Sequence, residues 1–369
     1  MKIKFYPKSS RISDFLKFPN LINYMEWHEE HKNNDMFKEV EINDYIKFVE
    51  EITEKLEPYK KEIENYYAGP FIESYSFISL STKKDEILFY ENAEHFLDFL
   101  LTLDEKEINE RIVLSLLKEY KDMDLDEERD LARMREICRE KESILDYIKS
   151  LSLDPSVKWS LYLAISDPVK HMKGYVELMR LLYPIFSEVY EPYESEIRVY
   201  GELLENTIIE KGSDGIKELT YNLLDKNVVD TDEICIIVSL VLSYSLLLNI
   251  LKDKSIVTWG LRMGDAFKQM KEVSEDKLNK RVQIFKNLGD RTRYEVLKYI
   301  AAGETSTKLI AEALNVSSAT VSYHISNFLT SRVIKVDKSK QKYGYIVDYD
   351  LIEQTIKEFR DDLKFPENR

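Results

Sequence analysis

Glycine and proline are too scarce in this chain to support a fold built only from β-strands. The 369 residues include 10 Gly and 9 Pro, and long stretches contain neither. All-β folds need frequent turns, which draw mainly on these two residues. Most of the chain instead shows the apolar spacing of amphipathic helices. The sequence therefore predicts a mainly α fold with minor β structure.

The amphipathic segments predict a large helical N-terminal domain. Its helices are expected at 43–67, 91–101, 105–120, 126–150, 173–190, 194–210 and 214–224. Short extended segments are expected at 2–6 and 255–259. A charged stretch at 271–277 predicts a boundary between a domain of residues 1–275 and a second domain of residues 276–369.

One long uncharged segment has the composition of a possible membrane span. Residues 234–251 form a stretch of eighteen without a charge, near the lower limit for crossing a bilayer. The stretch contains three serines and an asparagine, and charged residues flank it on both sides. We therefore expect a buried core segment, with a strand at 234–238, and no membrane partner.

The cysteines and the first residues predict a cytoplasmic protein. Cys138 and Cys235 lie far apart and show no disulfide spacing. The first seven residues, MKIKFYP, lack the apolar core of a signal peptide.

Charge is distributed unevenly between the two predicted domains. Residues 277–347 contain thirteen Lys or Arg and five Asp or Glu, a net charge of +8. The whole chain carries −15, so the remainder carries −23. A basic segment attached to an acidic body is the asymmetry expected when one segment contacts nucleic acid.

The basic segment contains an ordered series of helix signals. We expect one helix to end at Gly289 in the left-handed C-cap conformation, and Asp290 to cap the next helix, which ends at Gly303. Thr305 or Ser306 is placed to cap the helix after that. The residues expected to face the core of these helices are Ile284, Phe285, Leu288, Tyr294, Leu297, Tyr299, Ile300, Leu309, Ile310 and Leu314.

The following residues predict a crossed helix pair. Asn315 suits the tight turn, Ser317 caps the second helix, and Val316 with Val321 matches a hydrophobic staple. The apolar stripe of this helix comprises Val321, Ile325, Phe328 and Leu329. The opposite side comprises Ser318, Ala319, Ser322, Tyr323, Ser326 and Asn327. Small, hydrogen-bonding residues without a carboxylate suit entry into a DNA major groove.

Two short strands are expected after this helix. Segments 333–336 and 343–347 flank the basic sequence at 337–342. Lys338, Lys340 and Lys342 would neutralise phosphates beside the groove. The C-terminal domain is therefore predicted to be an α+β winged helix-turn-helix.

The residues of this domain resemble the ArsR family of bacterial winged-helix repressors. The resemblance lies in 285–293 (FKNLGDRTR) and 311–325 (AEALNVSSATVSYHI), and it covers about a quarter of the chain. It implies a transcriptional regulator, a repressor, that binds double-stranded DNA as a homodimer paired through terminal helices at 277–288 and 349–363. The contacts it implies are Ser317, Ser318, Thr320, Ser322, Tyr323 and His324, and we add Ser306 and Lys308 from the preceding helix.

The sequence departs from the metal-sensing members of that family. The first helix of the pair reads Ser306-Thr307-Lys308-Leu309 where such members carry two cysteines. On the last helix Asp361 and Asp362 are present without a histidine. His28 and His31 lack a third ligand and are expected on a surface helix. No metal site is expected.

No enzyme is expected, and no catalytic residue or cofactor is assigned. The sequence contains no Gly-rich phosphate loop and no nucleophile elbow. His95 and His171 are expected on helix surfaces, and tyrosine runs such as Tyr66-Tyr67 line either a packed core or a pocket for an unknown effector. Two alternatives stay open: a scaffold whose winged helix docks a protein, and an N-terminal enzyme that acts on a small molecule.

Overall fold

The computed structural model describes residues 2–31, 40–67, 76–119, 127–221, 223, 231–251, 254–275, 277–337 and 344–365. The chain divides into two compact units. The first comprises Met1–Glu30 and Ile42–Asp265, and the second comprises His31–Glu41 and Ala266–Arg369. The main part of the second unit thus begins ahead of the boundary expected at 275/276.

The first unit is mainly helical, which confirms the predicted fold class. Its helices are α1 (Pro7–Lys17), α2 (Tyr24–His31), α3 (Asn43–Leu56), α4 (Lys60–Glu64), α5 (Phe77–Ser81), α6 (Ala93–Leu100), α7 (Glu105–Glu119), α8 (Glu127–Ile137), α9 (Lys141–Ser150), α10 (Pro155–Ser166), α11 (Pro168–Tyr190), α12 (Glu194–Lys211) and α13 (Ser213–Leu219). Helix α14 (Met263–Glu275) contains the division between the units.

Several helix boundaries differ from the sequence prediction. The helix expected at 43–67 ends at Leu56, because a 3₁₀ turn containing Pro58 follows it. The helix expected at 126–150 is two helices, α8 and α9. Helices α1, α5 and α10 were not predicted. Two of them begin at Pro7 and Pro155, whose fixed φ suits a first helical turn.

The first unit contains a four-stranded sheet. Its strands are β1 (Lys2–Phe5), β2 (Glu233–Ser239), β3 (Leu246–Ile250) and β4 (Lys254–Gly260), in the order β1-β2-β4-β3. Strands β1, β2 and β4 are parallel, and β3 pairs antiparallel with β4. A side chain at Gly201 would overlap the Phe5 ring, so α12 packs closely on β1.

The uncharged segment at 234–251 forms strands of this sheet. Residues 234–239 of β2 are buried, which confirms the expected core strand. The segment then turns and returns as β3, at the sheet edge, where Leu247 and Ile250 are exposed. Among the described residues, no helix is both long enough and apolar enough to cross a membrane.

Helix α1 is fastened to the carboxyl end of β2 by polar contacts. The carboxylate of Asp14 accepts hydrogen bonds from the Ser239 hydroxyl and from the Leu240 N–H, the latter at 2.7 Å. Ser10 Oγ accepts from the Val238 N–H at 3.0 Å. Asp14 is fully buried, and this burial raises its pKa to about 6 despite the opposing hydrogen bonds.

In its described residues, the second unit contains five further helices and a two-stranded sheet. They are α15 (Lys277–Gly289), α16 (Arg291–Ala301), α17 (Thr307–Leu314), α18 (Ser318–Thr330), β5 (Ile334–Asp337), β6 (Gly344–Val347) and α19 (Tyr349–Asp362). Strands β5 and β6 are antiparallel and confirm the predicted hairpin. The buried core comprises Ile284, Val296, Leu297, Ile300, Ile310, Ala311, Val321, Ile325, Phe328, Val333, Ile334 and Val347.

Candidate nucleic-acid interface

Side-chain caps start the three helices at the centre of the second unit. Asp290 Oδ1 accepts from the Arg293 N–H at 2.8 Å, at the start of α16. Ser306 Oγ accepts from the Leu309 N–H at 3.3 Å, at the start of α17. Ser317 caps α18 by accepting from the Thr320 N–H at 3.0 Å. All three predicted caps are confirmed.

The turn between α17 and α18 has the geometry of a crossed helix pair. Asn315 adopts φ 54° and ψ 47°, the left-handed conformation that asparagine tolerates better than most residues. Gly303 also has a positive φ, of 90°. Gly289 does not, so its expected left-handed cap is wrong. The chain leaves α15 directly into the extended Asp290, which caps the next helix.

Helix α18 packs one stripe into the core and leaves the other side accessible. Val321, Ile325 and Phe328 are buried, as expected from their spacing. Two residues expected to face inward on neighbouring helices do not. Tyr294 on α16 is 52% exposed and Leu309 on α17 is 41% exposed.

Small polar residues form the accessible face of α18. Ser318, Ala319, Ser322 and Ser326 are exposed, as is the cap Ser317, while Thr320 and Tyr323 are partly exposed. Ser306 and Lys308, the two sites predicted on the neighbouring α17, are also partly exposed. This face contains hydroxyl and methyl groups and no carboxylate, which is the surface chemistry that tolerates an approaching phosphate backbone.

His324 and Asn327 do not belong to this accessible face. His324 is 6% exposed and Asn327 is 2% exposed. His324 lies three residues after Val321 and four before Phe328, so helical geometry places it on the core side. The predicted DNA contact at His324 is therefore wrong.

Burial favours the neutral form of the His324 side chain. Neither ring nitrogen of His324 has a hydrogen-bond partner among the described residues. Burial lowers the pKa of His324, the nearby positive charge of Arg293 lowers it further, and Asp290 opposes both effects. We interpret His324 as a packing residue beneath the exposed face.

Arg293 connects three elements of the second unit. Its guanidinium donates to Asn287 Oδ1 at 2.7 Å and to Tyr323 Oη at 3.1 Å. Asn287 lies on α15, is 1% exposed, and donates from Nδ2 to the Asn327 carbonyl at 3.5 Å. Arg293 thus fixes the position of Tyr323 on α18. Sequence reasoning missed this residue, although it stands in the 285–293 segment that carries the family resemblance.

Several residues of the second unit outside the helix pair carry basic side chains. Lys286 and Arg291 are exposed. Two other lysines form ion pairs, Lys298 with Glu295 at 2.9 Å and Lys335 with Asp348 at 2.6 Å. The predicted contacts Lys338, Lys340 and Lys342 lie outside the described residues.

Helices α15 and α19 are held together by charge and by aromatic packing. The Arg281 guanidinium contacts Glu358 at 2.9 Å and Asp362 at 2.8 Å. The ring centroids of Phe285 and Phe359 are 4.9 Å apart. The Asp362 carboxylate thus forms an ion pair with Arg281. Across the described part of the chain, no three His, Cys, Asp or Glu residues cluster as metal ligands.

The two helices also present apolar side chains to solvent. The exposed ones are Leu278, Val282, Ile356, Phe359 and Leu363. These residues fall within the terminal segments that the ArsR resemblance implies for dimerisation.

Two histidines of the first unit lie in aromatic clusters. His28 is 7% exposed and stacks on Tyr24 at 5.7 Å, so the expected surface position is wrong for this residue. His171 packs against the rings of Tyr66 and Phe77, at 4.7 Å and 4.6 Å. Burial lowers the pKa of His171 to about 4. This half-buried position differs from the expected helix surface.

The tyrosines of this unit pack on each other. The Tyr67 and Tyr175 hydroxyls lie 3.2 Å apart, both residues are buried, and Tyr67 Oη donates to the Leu16 carbonyl at 2.7 Å. These contacts are typical of a packed core.

Comparison with known proteins agrees with the geometry of the second unit. The family described as "Bacterial regulatory proteins, luxR family" matches residues 287–331. The chain carries a helix-turn-helix DNA-binding domain. The match covers α16, the helix-turn-helix pair α17 and α18, and the end of α15, and it stops before β5.

The family that matches is not the one the sequence resembles. The match is to the luxR family, and it lends no support to the ArsR assignment or to a repressor role. No curated protein and no solved structure shows significant similarity to the chain.

Proposed function

We propose that the chain is a sequence-specific transcriptional regulator that inserts α18 into the major groove of double-stranded DNA. The accessible face of α18 carries this proposal, because it presents hydrogen-bonding side chains and no carboxylate on a helix fixed to the core. Thr320, Ser322 and Tyr323 read base edges, and the N-terminal residues Ser317 and Ser318 contact phosphate. Ser306 and Lys308 add phosphate contacts from α17.

We further propose a winged domain of the ArsR type. The luxR match covers helices only, whereas the β5–β6 hairpin follows α18 directly. A two-stranded hairpin after the second helix of the pair is the order of elements that the ArsR resemblance implies. In this proposal the basic segment 337–342 is the wing, and its residues Lys338, Lys340 and Lys342 contact phosphate. Binding then represses transcription because the bound protein blocks the promoter.

Two copies are proposed to bind together. The exposed apolar residues on α15 and α19 supply a surface that a second copy would cover. A two-fold dimer places its two α18 helices in successive major grooves, about 34–36 Å apart. The first unit then regulates the domain, as a binding protein and not as an enzyme, by responding to a small molecule or a protein.

Fluorescence anisotropy on labelled DNA tests the function. The full chain is titrated onto DNA from upstream of its own gene and onto an unrelated duplex, at two salt concentrations. We expect tighter binding to the upstream DNA and a steep loss of affinity with salt. Ser322→Ala should weaken the preference for upstream DNA, whereas Ser195→Ala, at an exposed serine of α12, should not.

Equal affinity for both duplexes, or a shallow salt dependence, would favour a second candidate function. The exposed Tyr294 and Leu309 on α16 and α17 favour a scaffold that docks a protein through its winged helix. Such docking would bury apolar surface and depend little on salt. In a capture experiment on the immobilised chain, a cellular protein that the wild type retains and a Tyr294→Ala variant loses would support the scaffold.

A further inference from the structure

Among the residues that the structure describes, strand β3 pairs with no strand on the outer side of the four-stranded sheet. It is the last strand in the order β1-β2-β4-β3, and its partner β4 lies on one side only. The Gly260 N–H donates to the Ser245 carbonyl and the Leu251 N–H donates to the Lys254 carbonyl, each at 2.8 Å. With the register Leu247↔Thr258, these bonds show which residues of β3 direct their backbone N–H and C=O groups toward β4.

Three residues of β3 direct their backbone groups away from β4. In an antiparallel ladder, hydrogen-bonded pairs alternate with unbonded ones. Residues 245, 247, 249 and 251 belong to the bonded pairs, so Leu246, Leu248 and Ile250 present their N–H and C=O groups at the outer edge. Such a row is a template for another extended strand.

The two edges of the sheet differ in their side chains. Strand β1, at the opposite edge, carries the exposed lysines Lys2 and Lys4. Strand β3 has the sequence LLLNI and carries no charge, and its Ile250 is 45% exposed. Charged residues on an edge strand discourage pairing with another chain. The β1 edge has this protection and the β3 edge lacks it.

We propose that β3 pairs antiparallel with β3 of a second copy about a two-fold axis at Leu248. In this register Leu248 faces Leu248, Leu246 faces Ile250, and Leu247 faces Asn249 of the partner strand. Every opposed pair is neutral, and most pairs are apolar, so like charges do not meet. The outward groups of Leu246, Leu248 and Ile250 satisfy each other, and two four-stranded sheets become one of eight strands.

This contact is separate from the one proposed for α15 and α19. It lies in the first unit and does not depend on DNA binding. A chain that uses both surfaces forms a larger assembly, and the loss of either surface reduces the mass without removing the other.

Introducing a charge at Leu248, on the two-fold axis, tests the proposal in the full chain. We expect Leu248→Lys and Leu248→Glu each to halve the wild-type mass in sedimentation velocity, because like charges then face each other. Mixing the two variants should restore the wild-type mass, since Lys then faces Glu. Leu247→Lys should keep the wild-type mass, because its opposed residue is Asn249.

Disulfide trapping tests the register directly. Paired Cα atoms at a bonded antiparallel position lie about 5.5 Å apart, within disulfide range. In a Cys138→Ser background, Leu248→Cys should form a covalent dimer on oxidation, and Leu247→Cys should not. An unchanged mass in both charge variants, or no covalent dimer of Leu248→Cys, would overturn the proposal. Covalent dimers formed equally by both cysteine variants would also contradict this register.

Discussion

Arg293 donates a hydrogen bond to Tyr323, and this contact sets the direction of the Tyr323 hydroxyl proton. The Arg293 guanidinium donates to Tyr323 Oη, so the oxygen acts as an acceptor there. The hydroxyl proton is then directed elsewhere and is available for a DNA acceptor. In the proposed complex Arg293 is therefore a positioning residue that acts through Tyr323.

A double-mutant cycle checks the role of Arg293. Tyr323→Phe and Arg293→Leu should each weaken binding to the upstream DNA by about 1–3 kcal/mol, the range for a good base contact. The double variant should bind about as well as either single one, because the two residues form one unit. Anisotropy titrations measure all four proteins. Additive effects of the two substitutions would show that Arg293 acts independently, and Tyr294→Phe serves as the matched control.

Asp14 predicts an unusual pH dependence of stability. Its folded pKa of about 6 lies above the ordinary value of 3.8, so the folded state binds its proton more tightly than the unfolded state does. The contribution of Asp14 is therefore fully present below about pH 4 and falls as the pH rises to about 6. The full change is on the order of 3 kcal/mol.

The Asp14→Asn variant isolates this effect. The stability advantage of the wild type over Asp14→Asn should shrink between pH 4 and pH 6.5, because the amide does not titrate. Urea unfolding at several pH values, followed by circular dichroism, gives the two curves. A constant difference across this range would mean that Asp14 has an ordinary pKa in the folded protein.

At the scale of elements, the proposed wing at 337–342 is expected to control the salt dependence of DNA binding. Replacing Lys338, Lys340 and Lys342 with Ala should weaken binding to every duplex. The slope of log affinity against log salt should become shallower by about 0.9 for each phosphate that the wing no longer neutralises. Anisotropy at four salt concentrations measures this slope. The same replacement at Lys60, Lys61 and Lys106 in the first unit should leave it unchanged, and an unchanged slope in the wing variant would remove the wing from the interface.

The elements that local sequence determines were predicted best. The caps Asp290, Ser306 and Ser317 act on amides within three residues, so their roles follow from neighbouring positions. Strand β3 was not predicted as a strand of its own. Residues 246–250 form a strand because they pair with β4 across a turn. The sequence analysis treated 234–251 as a single buried segment, because no residue in it is charged.

The sequence predicted which helix forms the candidate site, but it placed two residues on the wrong side of that helix. The accessible face of α18 was found from its polar composition, and the same criterion wrongly assigned Asn327 to it. Helical spacing from Val321 would have placed His324 in the core as well. Arg293 was missed because its contact with Tyr323 joins two helices, and no local pattern describes such a contact.

At the scale of the whole molecule, two copies are expected to pair through α15 and α19. Ile356→Glu should halve the mass in sedimentation velocity, because the dimer would bury this charge. Val199→Glu makes the same change at an exposed apolar residue of α12 and should leave the mass intact. DNA with two half-sites should lose affinity for Ile356→Glu, and DNA with one half-site should not. Equal masses for the two variants would exclude α19 from the interface.

The distance in sequence between β1 and β2 affects how the protein is made. Lys2 pairs with Glu233, so β1 is translated some 230 residues before the strand that it pairs with. At about 5–20 residues per second, this interval lasts roughly 10–50 seconds. During that time the apolar side chains of β1 have no sheet to join, and the nascent helices must fold without it. The first unit is therefore expected to complete its sheet only after β2 has left the ribosome.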